Sequence, residues 1–383
     1  MMTLKSTNME DLLRDGFTKK YAKFYLDILE EEKNNPVFAN KEYVEWAHAH
    51  GFTAEFAYVL GINEDNYSNY LSQYDFYKVW PLNNWTRIWV NDKLTLKYTL
   101  SKLDLERYMP KYYYYTRGKE LLPLMDNKNT NSREGFLNTL REVGDLACKP
   151  CNGTQSEGFF KLSYINGSFS INDSLVSEDV IFDFVKNHPN YLFTEYLKPG
   201  KEWAVYSDTI HTVRIMIINE HGNDPKFVGN FIRIPHKSEY AANYIIHDRT
   251  NNEEYNLYVS INMETGEYGE ALAIYPERAV KIDKHPDTGA VLSGKIICFE
   301  ELREASLKIA SWYSNLEFLG FDFGITESGI KIMEINTHPG VMVSQIKEPM
   351  YLNENTRKYF EKKIAEIDNL SIKEKKRRND IPR

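Results

Sequence analysis

Two carboxylates and an amide that could share one metal ion stand in the stretch from Leu319 to Asn336 of this 383-residue chain. The stretch reads as two short strands around Glu327-Ser328-Gly329, a hairpin. With a three-residue loop and Gly329 in the left-handed region, Thr326 pairs with Ile330, and counting outward sets Asp322 opposite Glu334. Side chains alternate along a strand, so Asp322, Glu334 and Asn336 are expected on one face and Phe321, Phe323, Met333 and Ile335 on the other. Carboxylate and amide oxygens are hard ligands, suited to an Mg²⁺ that keeps several waters and completes its shell from substrate phosphates. The plainer reading is a solvated polar strand face.

A second group runs from Cys148 to Gly158, where Lys149 ends a strand and a polar loop follows with Gly153, Ser156 and Gly158. Glycine admits close backbone approach and φ > 0, the freed N–H groups point at anionic oxygens, and a lysine adds a point charge to the same anion. Taken alone, such a loop is more often an ordinary turn. Cys148 and Cys151 form a lone C-x-x-C, and a zinc or redox site would need further soft ligands where no second pair exists. A third group, Phe193 to Trp203, reads as a β-rich run broken at Pro199-Gly200 and resuming beyond it. As an interdomain hinge it could meet an adenine edge with one backbone donor and one acceptor, while an acidic side chain accepts from ribose hydroxyls.

The elements that carry these residues fall into three regions and a tail. Residues 1–90 read as mainly helical, with apolar residues such as Tyr25, Leu26, Ile28 and Leu29 at three-to-four spacing. Residues 91–190 read as a small α/β domain: a helix opening at Asn91-Asp92, an aromatic strand Tyr112 to Tyr115, a polar loop Asn127 to Ser132, and the strand into Lys149. Residues 191–345 are rich in strands, among them Thr212 to Ile218, Phe227 to Ile234 and Leu257 to Ile261, interrupted by a helix near Phe299 to Trp312. Residues 346–383 form a C-terminal helix and a basic tail, expected to fray from Ser371. The class is α/β, in its α+β form.

The chain is 42% hydrophobic and 27% charged with net charge −8, which is the balance of a globular protein of two or three domains and excludes general nucleic-acid affinity. Met1 to Lys20 lacks the apolar core of a signal peptide, and no run of about 18 apolar residues could span a bilayer. With only three cysteines, the expectation is a cytoplasmic protein without a disulfide framework or a transmembrane segment. No H-E-x-x-H occurs, and no signature of a particular oligomeric state.

Asp92-Lys93-Leu94, Lys149-Pro150 with its glycine loop, Glu195 with Glu202 seven residues on, and Glu334-x-Asn336-Thr337-x-Pro339-Gly340 follow one another in an order that resembles the ATP-grasp superfamily, and locally D-alanine–D-alanine ligases. Thr209-Ile-His-Thr212-Val-Arg214, Phe231-Ile-Arg233 and the hairpin are similar to the sugar-transfer-associated ATP-grasp branch, over roughly residues 90 to 345. The resemblance implies two α+β subdomains clasping ATP, preceded here by the helical region. It implies that Lys93 and Lys149 hold ATP phosphates with Gly153, Ser156 and Gly158, and that the backbone of Glu195, Tyr196, Leu197 and Lys198 meets adenine. Glu202 would bind ribose, Asp322, Glu334 and Asn336 would ligate Mg²⁺, and Arg214 and Arg233 would act with Lys149 in catalysis. The activity implied is an ATP-dependent carboxylate–amine ligase using an acyl phosphate, with an amino acid, sugar acid or amino sugar as substrate, in surface-polysaccharide biosynthesis. A kinase of a small hydroxyl compound and a non-catalytic nucleotide-binding protein are the alternatives. His211 and Tyr255-Asn256 depart from the branch's usual text.

Overall fold

Strand-forming runs between Tyr112 and Glu195 join into one antiparallel sheet of β1 (Tyr112–Arg117), β2 (Glu120–Pro123), β3 (Asp145–Pro150), β4 (Phe160–Ile165), β5 (Ser168–Ile171), β6 (Ser174–Val176) and β7 (Tyr191–Glu195), in the order β2-β1-β7-β3-β4-β5-β6. The computed structural model describes residues 5, 7–34, 40–83, 85–102, 104–153, 157–237, 254–276 and 278–380. Ser132 and Ser177 cap the helices Arg133–Val143 and Glu178–Asn187, each accepting from the backbone N–H three residues on. Leu137, Leu140, Ile181 and Val185 of these helices cover one face of the sheet, meeting Leu146, Cys148, Leu162 and Phe193. Alternation along β3 then turns Ala147 and Lys149 to the opposite face, toward the cleft. β7 lies inside this sheet, between β1 and β3, so the sheet runs past the boundary expected at 190. Leu192 and Phe193 explain its central place, since both faces are buried at 0% exposure.

The second sheet joins β8 (Thr212–Ile218), β9 (Lys226–Arg233), β10 (Asn256–Ile261), β11 (Glu267–Ile274), β12 (Ala279–Ile282), β14 (Phe318–Thr326) and β15 (Gly329–Asn336) in the order β12-β11-β10-β9-β8-β14-β15, with β13 (Gly294–Lys295) beside β11. The helix Phe299–Trp312 covers one face through Leu302, Ala305 and Ile309, packed with Val213, Ile215, Phe321, Phe323 and Ile335. On the other face of β8, Met216 and Ile218 lie under Phe76, Val79, Trp80 and Phe360 from the N- and C-terminal helices. The polar end of that face, with Thr212 and Arg214, is left to the cleft.

The hairpin reaches its expected pairing by another route. Thr326 pairs with Gly329, at φ +98°, across a two-residue loop Glu327-Ser328, one residue shorter than expected. Continued regularly, that register would set Asp322 opposite Met333. A bulge between the pairs Phe323↔Ile332 and Asp322↔Glu334 makes Met333 the extra residue and restores Asp322 to Glu334. Met333 therefore lines the cleft beside Glu334, not the core side where strict alternation put it. Beyond Pro199-Gly200 the strand does not resume: a short helix, Lys201–Ala204, follows, and the next strand starts at Thr212. Gly200 donates its N–H to Ile325 O at 3.0 Å, which pins the turn against the hairpin.

The N-terminal region is helical, with Met9–Asp15, Lys19–Asn34, Lys41–Ala49, Ala54–Val59 and Gln73–Val79. Fully buried Asn83 ties it to the second sheet, donating to Phe318 O and Thr337 O at 2.6 and 3.0 Å and accepting from Glu317 N at 2.7 Å. The basic tail does not fray. Ser371 and Glu374 form a reciprocal capping box that opens the helix Ile372–Arg377. Arg378 then donates to the carbonyls of Gly16, Lys78 (3.0 Å) and Trp80 (2.9 Å), docking the tail on the N-terminal region. Among the described residues no helix is long and apolar enough to cross a membrane.

Candidate active site

A cleft of about 1040 Å³ separates the two sheets. Its wall on the second sheet is a row of side chains fixed by strand register. Phe231 of β9 pairs with Arg214 of β8, Arg214 with Asp322 of β14, and Asp322 with Glu334 of β15. Arg214 grips Asp322 with a fork, Nε to Oδ1 at 2.5 Å and Nη2 to Oδ2 at 2.9 Å, and lies 5.8 Å from the Phe231 ring centroid. Burial alone would lower the Arg214 pKa, but Asp322 and Glu334 outweigh it and raise it. Asn336 donates its amide to Asp322 Oδ2 at 3.0 Å. Gly320 makes room for the loop after Asn336, because a Cβ there would stand 2.5 Å from Pro339 Cβ. Arg233, 8% exposed, lines the same wall.

The facing wall is held by the helix Lys93–Ser101. Asp92 caps it, accepting from Thr95 N at 2.7 Å, and accepts from Cys151 Sγ at 3.3 Å. Lys93 donates its backbone N–H to Cys151 O at 3.0 Å and its Nζ to Gly153 O at 2.7 Å, so the loop after Lys149 hangs on this residue. Lys93 Nζ is also 3.6 Å from Glu334 Oε1, which brings the two walls into contact. Lys149 faces the cleft among these charges. Burial and the neighbouring Lys93 push its pKa down to about 8, against the pull of Glu334. The two cysteines part company, Cys148 into the core under the helices and Cys151 toward the other core, and burial raises both thiols.

The structure brings together Lys93, Lys149, Gly153, Arg214, Arg233, Asp322, Glu334 and Asn336, with Glu195, Tyr196 and Leu197 lining the same cleft. Glu195 Oε2 accepts from Lys111 N at 3.0 Å. Gly158, at φ +70°, closes the loop behind the lining, where a Cβ would lie 2.3 Å from Tyr191 Oη. Lys198 points away and pairs with Asp145 at 2.7 Å. Glu202 is exposed on the short helix, outside the cleft lining, so the missing strand after Gly200 removes it from the position sequence spacing suggested. Ser156 lies outside the described residues.

Sequence reading missed Met333, which only the bulge reveals, and His338 and Asn91, which line the cleft next to Asn336. It missed Tyr21 and Arg87 as well, more than 200 residues from the hairpin and carrying no local signal.

Among the described residues no three His, Cys, Asp or Glu side chains are grouped to hold a metal ion. The candidate set instead counts an asparagine, and its donors suit a hard cation. Glu334 and Asn336 Oδ1 offer oxygen, and Asp322 keeps lone pairs beyond those taken by Arg214 and Asn336.

No curated protein matches the chain in sequence. Among solved structures it is similar to D-alanyl-alanine synthetase A from Vibrio cholerae O1 biovar eltor (14% identity, 73% of this chain and 66% of that one, TM-score 0.43). Others are D-alanine–D-alanine ligase from Helicobacter pylori (14%, 73% and 61%, TM-score 0.38) and the Bacillus anthracis enzyme complexed with ATP (13%, 74% and 68%, TM-score 0.36). The chain thus spans about two thirds of the length of these proteins. Family membership rests on sequence, not on these likenesses: residues 108–359, more than half of the chain, match the family described as sugar-transfer associated ATP-grasp, and membership supports an ATP-dependent, ligase-type function. With this match and the cleft just described, the chain belongs to the sugar-transfer associated ATP-grasp family.

Proposed function

We propose that the cleft couples a small-molecule carboxylate to an amine at the expense of ATP, through an acyl phosphate. The observation that supports this most is the register-fixed row Arg214–Asp322–Glu334 facing Lys93 and Lys149. Phosphoryl transfer asks little covalent chemistry of a protein and much electrostatic positioning, which this arrangement offers. Lys149 and Lys93 hold phosphate oxygens, and the backbone of Glu195 to Leu197 receives adenine. Arg214, held by Asp322, would neutralise the transferring group, and Arg233 would clamp the substrate carboxylate. Asp322, Glu334 and Asn336 would hold Mg²⁺, which when bound neutralises charge on the phosphates.

A carboxylate oxygen attacks the γ-phosphorus as the bond to the β–γ bridging oxygen breaks and ADP leaves. The amine nitrogen then attacks the acyl carbon, the acyl–phosphate bond breaks, and the displaced phosphate or solvent takes the amine proton. No nucleophilic side chain takes part. The sugar-transfer association of the family favours sugar acids, amino sugars and amino acids as substrates for surface polysaccharide, made in the cytoplasm.

The test is ADP release with Mg²⁺-ATP against amino acids, uronic acids and amino sugars, singly and in pairs. Pair-dependent release with a condensed product by mass is the expected result; a phosphorylated single substrate would replace the ligase with a kinase. Glu334→Ala should lower turnover by about 100-fold or more while leaving the melting temperature near wild type, and wild-type ADP release by this variant would remove Glu334 from the site.

A further inference from the structure

Beyond the phosphate end, the cleft opens into a chamber walled by the N-terminal helices and the loop after Asn336. His338 borders it, with its ring centroid 4.0 Å from that of Trp80 and 5.8 Å from that of Tyr21, stacked on the latter. The Thr337 hydroxyl donates to Asn91 Oδ1 at 2.9 Å and lies 3.3 Å from His338 Nδ1. Having spent its proton, that hydroxyl accepts, so Nδ1 carries the imidazole proton. Nε2 is then an acceptor, and it is buried without a partner. A buried acceptor on a cavity wall calls for a donor from whatever enters.

The charge around it is positive. Arg87, 6% exposed, and Lys20 both act on the His338 ring. Glu32, the buried acid farther along this wall, is engaged by His48 and by the backbone N–H groups of Ala54 and Glu55. Tyr21 and Tyr77 stack at 6.3 Å with an 11° interplanar angle and give the chamber a flat aromatic side.

We propose that this chamber is a substrate subsite for a hydroxyl-bearing anion, a carboxylated or phosphorylated sugar. Arg87 and Lys20 hold the anionic group, a sugar hydroxyl donates to His338 Nε2, and the C–H face of the ring lies on Tyr21. The proposal rests on the ligase reading, which needs room for its substrates within reach of the metal set, and His338 is two residues from Asn336. Lys20, Tyr21 and Arg87 all lie outside the family-matched segment, so the subsite belongs to this chain's N-terminal region.

Calorimetric titration of the full chain with glucuronate, glucose 6-phosphate and glucose, with and without Mg²⁺ and the non-hydrolysable analogue AMP-PNP, tests it. At least one of the two anions should bind, ten-fold or more tighter than glucose, and which one binds identifies the anionic group. Lys20→Glu, at an exposed position, and Tyr21→Ala should each weaken that binding at least ten-fold with AMP-PNP affinity unchanged. Silent anions, glucose binding equally well, or an unaffected Lys20→Glu variant would overturn the subsite. Failure of AMP-PNP to bind would instead sink the ligase reading, so the two are separable.

Discussion

Lys149 shows how the site trades stability for readiness. A protonated amine, desolvated and beside Lys93, is disfavoured in the folded chain, which is why its pKa falls to about 8 from the ordinary 10.5. The folded state therefore binds fewer protons than the unfolded one between about 8 and 10.5, and stability rises with pH through that window. Lys149→Met should melt higher than wild type at pH 7 without nucleotide, yet lose the thermal shift produced by Mg²⁺-ATP; thermal melts of both proteins check this. In the wild type, the KM for ATP should climb as pH passes about 8 and the ammonium is lost, and Lys149→Arg should flatten that profile. Lys149 stood out in the sequence as the end of a strand followed by a polar loop with two glycines, and only the family resemblance gave it a role. Its perturbation was not legible, since Lys93 and Glu334 reach it only through tertiary contact.

At the scale of elements, the hairpin and the loop after Lys149 are shaped by different constraints. Asp322 opposite Glu334 came from counting outward from an assumed three-residue loop, and Phe321, Phe323 and Ile335 do take the core side. The two-residue loop and the bulge at Met333 were not legible, because an error of one in the loop and an extra residue in the strand cancel in the count. Glu202 shows the reverse failure: a fixed spacing from Glu195 carried no knowledge that Gly200 turns the chain into a helix. In the loop after Lys149, Gly158 is needed for its φ of +70° and for the 2.3 Å approach a Cβ would make to Tyr191 Oη. Gly158→Ala should cost about 1–2 kcal/mol in left-handed strain and displace the loop, weakening ATP about ten-fold, equivalent to about 1.4 kcal/mol. Calorimetry of the variant with ATP, beside a melt, measures both.

At the scale of the whole molecule, a cleft between two sheets is completed by parts from both ends of the sequence. Arg378 satisfies carbonyls of Gly16, Lys78 and Trp80 that are otherwise left without that donor. Arg378→Ala should destabilise the protein by about 3 kcal/mol, from lost charge-assisted bonds and unpaired buried acceptors, and denaturant unfolding would show whether the N-terminal helices loosen first. None of this was visible in the sequence, where the basic tail was expected to fray and the helical region carried no role.

Gly16 and Arg378 also touch across a separation of 362 residues. Domains made on the ribosome commonly fold in the order they emerge, but here the first helices cannot finish docking until Arg378 has been made. The first sheet, complete at Glu195, can take shape while the chamber still lacks Arg378 and Asn379 from its lining. A newborn chain thus passes through a stage in which the first sheet is formed and the proposed substrate chamber is still open.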